Sequence, residues 1–206
     1  MEKKKILAGI AVFLVIVLAV AAHYAFVPWG FYWKVSEEEA ALRLQVIQAA
    51  ESWLGCQEAD GSHEAIIDLY NTHEPLALGY EMQYTDSWCC TYVSAVTIQC
   101  GLTDIIPTEC GCQRHIALFQ ELGCWEEDDT AIPLPGDLIF YDWNQTKPGE
   151  CTGWADHVGI VVGTKWPFVK VIEGNRNDCV CYHYLLLGDV SIRGYARPEY
   201  SLKCGE

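Results

Sequence analysis

Positive charge is scarce in this chain of 206 residues, where 13 lysines and arginines stand against 28 aspartates and glutamates and the net charge is −15. Once Glu2, Lys3, Lys4 and Lys5 are set aside, 10 basic residues face 27 acidic ones, a balance that repels duplex nucleic acid and excludes it as a partner. Acidity of this kind keeps a domain soluble and does not bar a neutral or mixed-charge polymer held by grooves and hydrogen bonds. The chain also lacks internal repeats and low-complexity linkers, which excludes solenoids and arrays. Paired C-x-x-C spacing is missing as well, which weakens any zinc-ribbon reading. What remains beyond the N-terminal apolar segment is roughly 170 residues, enough for one domain with a core and one active site. With 8 Trp and 11 Tyr, that part has enough apolar surface to fold.

One long hydrophobic run is present. Lys3-Lys4-Lys5 precedes an uninterrupted apolar stretch from Ile6 to Ala22, followed by an aromatic group at Trp29, Phe31, Tyr32 and Trp33. This is an export signal, and two fates fit it. Ala19-Val20-Ala21 resembles the small-residue site of a signal peptidase, whereas Ile6 to Val27 would reach roughly 33 Å as a helix, enough to span hydrocarbon. The favoured reading is an uncleaved single-pass membrane anchor over 6–28, with a cytoplasmic lysine tip (1–5), a juxtamembrane linker (29–35) and an extracellular domain (36–206); the alternative is a secreted protein. Export permits disulfides among the eleven cysteines, but the count is odd, so at least one thiol lacks an intramolecular partner. Several reduced, buried cysteines acting as small apolar residues are the other possibility.

Helices are expected first and strands afterwards. Ser36 to Glu39 reads as a capping box opening a helix to about Leu54, with a short helix over His63 to Tyr70 and another within Cys110 to Gly123. From Trp88 to Cys100 the residues are apolar on nearly every face, which describes a buried helix capped by Thr85, Asp86 or Ser87. An acidic loop follows at Glu126 to Asp129. Strands are expected over Asp137 to Asp142, His157 to Gly163, Phe168 to Glu173, Val180 to Leu186 and Ser191 to Tyr195. This order predicts an α+β domain with helices packed on an antiparallel sheet.

Cys89 stands in the first turn of the buried helix, where unpaired amides and the helix dipole favour a thiolate and offer an oxyanion site. His157 begins a strand beside a loop, a position from which a side chain faces a cleft. If the next strand forms a hairpin with it, a five-residue loop sets 157 against 175 and a three-residue loop sets 157 against 173. In both registers Glu173 and Asn175 share the face of the imidazole; an even-length loop would bring Gly174 there instead. Glu173 is the expected orienting partner of the base, with Asn175 sharing that role or holding substrate. Trp88, Trp143 and Trp154 are candidates to line a substrate groove, with buried packing the alternative for each.

Asp86-Ser87-Trp88-Cys89-Cys90-Thr91-Tyr92-Val93, Leu134-Pro135-Gly136-Asp137-Leu138-Ile139-Phe140-Tyr141, Asp156-His157-Val158-Gly159-Ile160-Val161 and Ile172-Glu173-Gly174-Asn175 resemble, in order and spacing, the successive blocks of the CHAP family of cysteine, histidine-dependent amidohydrolases and peptidases. With Arg193 to Pro198 similar to a closing strand, the resemblance covers roughly residues 40 to 200. It implies a papain-like fold and hydrolysis of peptidoglycan amide bonds, as an amidase or an endopeptidase, with Cys89 as nucleophile, His157 as base, Glu173 and Asn175 as polar partners, and no metal or organic cofactor. The doubled Cys89-Cys90 departs from the family pattern, which puts the nucleophile directly after the tryptophan. Three rivals stand beside it. Cys110-Gly111-Cys112-Gln113-Arg114-His115 and Cys179-Val180-Cys181-Tyr182-His183 bring soft ligands close together, so a zinc- or disulfide-stabilised module is one, a non-catalytic wall-binding domain of the same fold the second, and an acyltransferase the third.

Overall fold

The computed structural model describes residues 35–205. Four helices come first, α1 (Glu37–Glu51), α2 (Glu64–Asn71), α3 (Cys89–Cys100) and α4 (Cys112–Glu121), then six strands, β1 (Trp125–Glu126), β2 (Leu138–Tyr141), β3 (His157–Lys165), β4 (Phe168–Arg176), β5 (Cys179–Leu186) and β6 (Ile192–Ala196). The strands form one sheet in the order β1-β6-β2-β3-β4-β5 with every pair antiparallel. The fold is therefore α+β, helices on an antiparallel sheet. The expected anchor over 6–28 lies outside the described residues, and among those described no helix is long and apolar enough to cross a membrane.

Helix α3 is the centre of the core. Nine of its twelve residues, Cys89 to Thr97, are buried, and it packs against α1, α2, β3 and β4. A helix apolar all round has no solvent face to turn outward, so neighbours must cover it on every side. Gly101, at φ +68, ends it in the left-handed conformation that glycine adopts without a Cβ penalty. The opposite sheet face carries a smaller cluster that includes Ile139, Tyr141, Val161 and Val171. Burial of both faces explains why β2 and β3 read as continuous apolar runs.

Local chemistry ties α1 to the sheet. Ser36 accepts the Glu39 amide at 3.0 Å, but the Glu39 carboxylate accepts from Arg43 Nε at 2.8 Å and does not close the expected capping box. Arg43 in turn donates to Asp137 Oδ1 at 2.7 Å and to the Pro135 carbonyl at 3.1 Å. A buried guanidinium needs such partners, and these fix the start of β2 against the first helix.

Two further sequence expectations give way. The segment read as an acidic loop from Glu126 contributes its first residue to β1, which pairs Trp125 with Ala196 and Glu126 with Tyr195; a two-residue strand is too short to show a period. The β3–β4 turn is the second. Lys165 pairs with Phe168, leaving Trp166 and Pro167 as a two-residue loop, an even length that, carried on unbroken, would set 157 against 176 and put Gly174 instead of Glu173 or Asn175 on the face of the imidazole. A bulge at Val162 intervenes, since Val161 pairs with Val171 but Gly163 with Lys170. One extra residue on β3 restores the odd offset, and the register Ile160 with Ile172, carried on, sets 159 against 173 and 157 against 175.

Candidate active site

The start of α3 carries no side-chain cap. Trp88 is the N-cap residue, with no side-chain hydrogen bond to the helix, and Asp86, one of the expected caps, instead accepts from the Tyr80 hydroxyl and the Gln83 amide, each at 2.8 Å. The first-turn amides, those of Cys89 and Cys90 among them, are thus left for an anion, which the helix dipole favours.

Cys89 is buried, 6% exposed. Its Sγ lies 3.6 Å from Cys112 Sγ at the start of α4, and the imidazole of His157 is close enough to draw the thiol pKa downward. The hydrogen bond with Cys112 and burial push the Cys89 thiol well up, outweighing the pull of His157 in the other direction. The neighbouring Cys90 is a second thiol beside a second imidazole, 3.4 Å from His115 Nδ1. That pair differs from the first in two respects. His115 is completely enclosed, and burial pushes its pKa down to about 4, while its other ring nitrogen has no partner among the described residues. No carboxylate orients it.

His157 has one. Its Nε2 lies 3.2 Å from Glu173 Oε2, and because an ionised carboxylate only accepts, Nε2 keeps its proton in either charge state, so that in the neutral ring Nδ1 is the free nitrogen. Burial would lower the His157 pKa, but hydrogen bonds to Cys89 and Glu173 outweigh it and raise it to about 9. Burial would likewise raise that of Glu173, yet hydrogen bonds from His157 and His183 hold the fully buried carboxyl far below the usual carboxylate range. Gly159 makes the room: a Cβ there would stand 2.7 Å from Glu173 Cγ. Gly174 does the same for the helix, since its Cβ would fall 2.4 Å from Tyr92 Cβ on α3. Both glycines let β3, β4 and α3 approach closely enough for sulfur, imidazole and carboxylate to meet.

Of the other expected site residues, Asn175 sits next to the meeting point in the left-handed region at φ 56, with no side-chain hydrogen bond to any described residue. Trp143 is half exposed, stacks on Tyr141 with ring centroids 5.2 Å apart, and lies 5.8 Å from the His157 ring. Trp154 is 71% exposed on the segment leading into β3. Trp88 is fully enclosed and donates through Nε1 to Glu58 Oε1 at 2.9 Å, so it belongs to the core and offers no surface to a groove.

Four residues at the site were not anticipated. Tyr141 and His183 both donate to Glu173 Oε1, at 2.6 and 2.9 Å, Arg176 donates to Oε2 at 3.0 Å, and Cys112 touches the Cys89 sulfur. Strand registers contain a signal for the first two: Tyr141 pairs with His157 across β2 and β3, and His183 lies two residues beyond Cys181, the partner of Glu173. Cys112 reaches the site through the meeting of two helix starts, for which a sequence has no period.

Among the described residues no group of three or more His, Cys, Asp or Glu side chains is arranged to hold a metal ion. In the two motifs weighed as soft-ligand clusters, Cys112 faces Cys89, His115 faces Cys90, Cys179 and Cys181 both point at the Arg176 carbonyl, and His183 is engaged by Glu173. All eleven cysteines are free thiols.

Comparison with known proteins gives one match: the family model described as CHAP domain fits residues 79–175, a span that holds Cys89, His157, Glu173 and Asn175 and is shorter than the resemblance read from the sequence. No curated protein and no solved structure matches the chain.

Proposed function

We propose, from the premise that residues 79–175 are a CHAP domain, that this protein hydrolyses amide bonds of peptidoglycan, as an N-acetylmuramoyl-L-alanine amidase or a peptide endopeptidase, through a thioester on Cys89. The observation that carries the reading is the His157 imidazole, held 3.2 Å from the buried Glu173 carboxylate and near enough to Cys89 to act on the pKa of its thiol. Nucleophile, base and orienting group stand in the sequence that acyl transfer requires.

His157 Nδ1 takes the thiol proton and the sulfur attacks the carbonyl carbon. The oxyanion forms at the uncapped start of α3, where backbone amides point at it. The imidazolium then protonates the leaving amine as the C–N bond breaks, and a water deprotonated by the same ring releases the acid and regenerates the thiol. Glu173 holds the ring in the required tautomer and balances its charge throughout. Trp143, half exposed beside His157, and Trp154 offer flat apolar surface to a glycan or peptide strand; Asn175 is close enough to the base to contact substrate. The residues need no metal or organic cofactor for these steps. The N-terminal apolar segment is read as holding this domain on the outer face of the membrane, within reach of the wall.

Incubation of the purified protein with isolated peptidoglycan, followed by mass analysis of the soluble fragments, tests the reading. Free peptide stems released from sugar identify an amidase, and shortened or uncrosslinked stems an endopeptidase. Products joined to an added amine would indicate transfer, and no release by wild-type protein, with wall binding retained in Cys89→Ala, would favour a binding module.

A further inference from the structure

Resting on the hydrolase reading above, we propose that His183, on β5 beyond the family match, is a positioning residue of the active site: with Tyr141 it holds Oε1 of Glu173 so that Oε2 faces His157, and by sharing the carboxylate's charge it sets how tightly His157 holds its proton.

Each oxygen of Glu173 accepts two hydrogen bonds. Oε1 takes the Tyr141 hydroxyl at 2.6 Å and His183 Nδ1 at 2.9 Å; Oε2 takes His157 Nε2 at 3.2 Å and Arg176 Nη1 at 3.0 Å. Glu173 is wholly buried, and a buried carboxylate without donors would either protonate or swing toward water. The donors come from every strand around it, Tyr141 from β2, His157 from β3, Arg176 from β4 and His183 from β5, with the Cys181 thiol also facing it from β5 and Cys89 facing His157 from α3. Arg176 competes with His157 for one oxygen. His183 and Tyr141 act on the other, so they can fix the carboxylate's rotation without displacing the base. His183 also lies on one strand face with Cys179 and Cys181, and its engagement by Glu173 gives that otherwise unexplained motif a role in the site.

The sign of the effect follows from charge sharing. A donor removed from Oε1 leaves more negative charge on Oε2, strengthens its bond to His157 and favours the imidazolium. This holds whether His183 is neutral or protonated, because loss of a nearby cation would act in the same direction.

Titration of isotope-labelled His157 by NMR in a Cys89→Ala background tests the proposal without requiring turnover. His183→Leu should raise the His157 midpoint by about half a pH unit, about threefold in proton affinity, whereas His183→Asn, which keeps a donor near the Nδ1 position, should restore it. With Cys89 present, the acid limb of kcat/KM should move upward in His183→Leu alone. An unchanged or lowered His157 midpoint in His183→Leu overturns the proposal, as does a loss of activity equal at every pH. If the leucine variant does not fold, Tyr141→Phe, which removes the other Oε1 donor without emptying its site, should raise the midpoint in the same way, and failure to do so overturns it. A shifted midpoint in a protein that releases no wall fragments would remove the hydrolase reading while leaving the hydrogen-bonding role of His183 intact; wall hydrolysis with no shift would do the reverse.

Discussion

Two sulfurs 3.6 Å apart inside the protein set the acidity of Cys89, the proposed nucleophile. Cys112 offers Cys89 no positive charge, and a second thiolate there would repel the first, so the hydrogen bond between them and burial raise the Cys89 thiol. Replacing Cys112 with Ala should lower the Cys89 pKa and speed its alkylation by iodoacetamide at neutral pH by about threefold to tenfold, because the thiolate fraction grows about tenfold when a thiol pKa well above the ambient pH falls by one. Peptide mapping that finds no acceleration at Cys89 would remove this role from Cys112. The proposed base has its own consequence for pH. His157 is raised to about 9 by Cys89 and Glu173 against the effect of burial, so at neutral pH its ring is largely imidazolium and has no lone pair for the thiol proton. kcat/KM is therefore expected to climb from pH 6 toward pH 9, and a profile already flat at pH 6 would contradict that assignment.

At the scale of elements, the site depends on how closely β4 lies against α3. The Cβ of an alanine at Gly174 would stand 2.4 Å from Tyr92 Cβ, backbone-proximal on both sides and so unable to rotate away. Gly174→Ala should cost about 1–3 kcal/mol of stability by overpacking, and activity should fall by more than the folded fraction accounts for, because the strand that moves carries Glu173. Thermal unfolding and wall digestion on one preparation check this; an active variant of full stability would show that the approach is not required. The same strand shows what sequence could and could not supply. His157 and Glu173 were legible as neighbours because both odd registers brought them together. The route to that register was not: the turn is even, and the bulge at Val162 that corrects it leaves no mark in a run of valines. The caps expected for α3 failed for a related reason, since Asp86 found nearer partners in Tyr80 and Gln83.

For the whole molecule, the order of helices and strands was readable because β2, β3 and α3 are apolar over lengths that match their type. β1 is too short to read, and Cys112 joins the site through a contact between two distant helix starts. Stability against pH follows from the His157–Glu173 pair. His157 is raised from 6.5, so its contribution is complete below pH 6.5 and is lost as pH rises through about 9; Glu173 is lowered from 4.5, so its contribution is complete above pH 4.5 and is lost as pH falls through its folded value. The pair therefore stabilises most between about pH 4.5 and 6.5, and Glu173→Gln should flatten the decline toward pH 9 in denaturant unfolding while lowering stability by about 3–5 kcal/mol, the cost typical of breaking a buried ion pair. An unchanged pH slope in that variant would assign the decline to other groups.

The central claim, that Cys89 forms a covalent acyl intermediate, is tested most directly by mixing enzyme with soluble wall fragments, quenching in acid and locating the adduct by peptide mass spectrometry. A thioester is expected on the peptide containing Cys89 and Cys90, fragmenting to Cys89, absent from Cys89→Ala and retained in Cys90→Ala. An adduct assigned to Cys90, or undiminished wall digestion by Cys89→Ala, would contradict it.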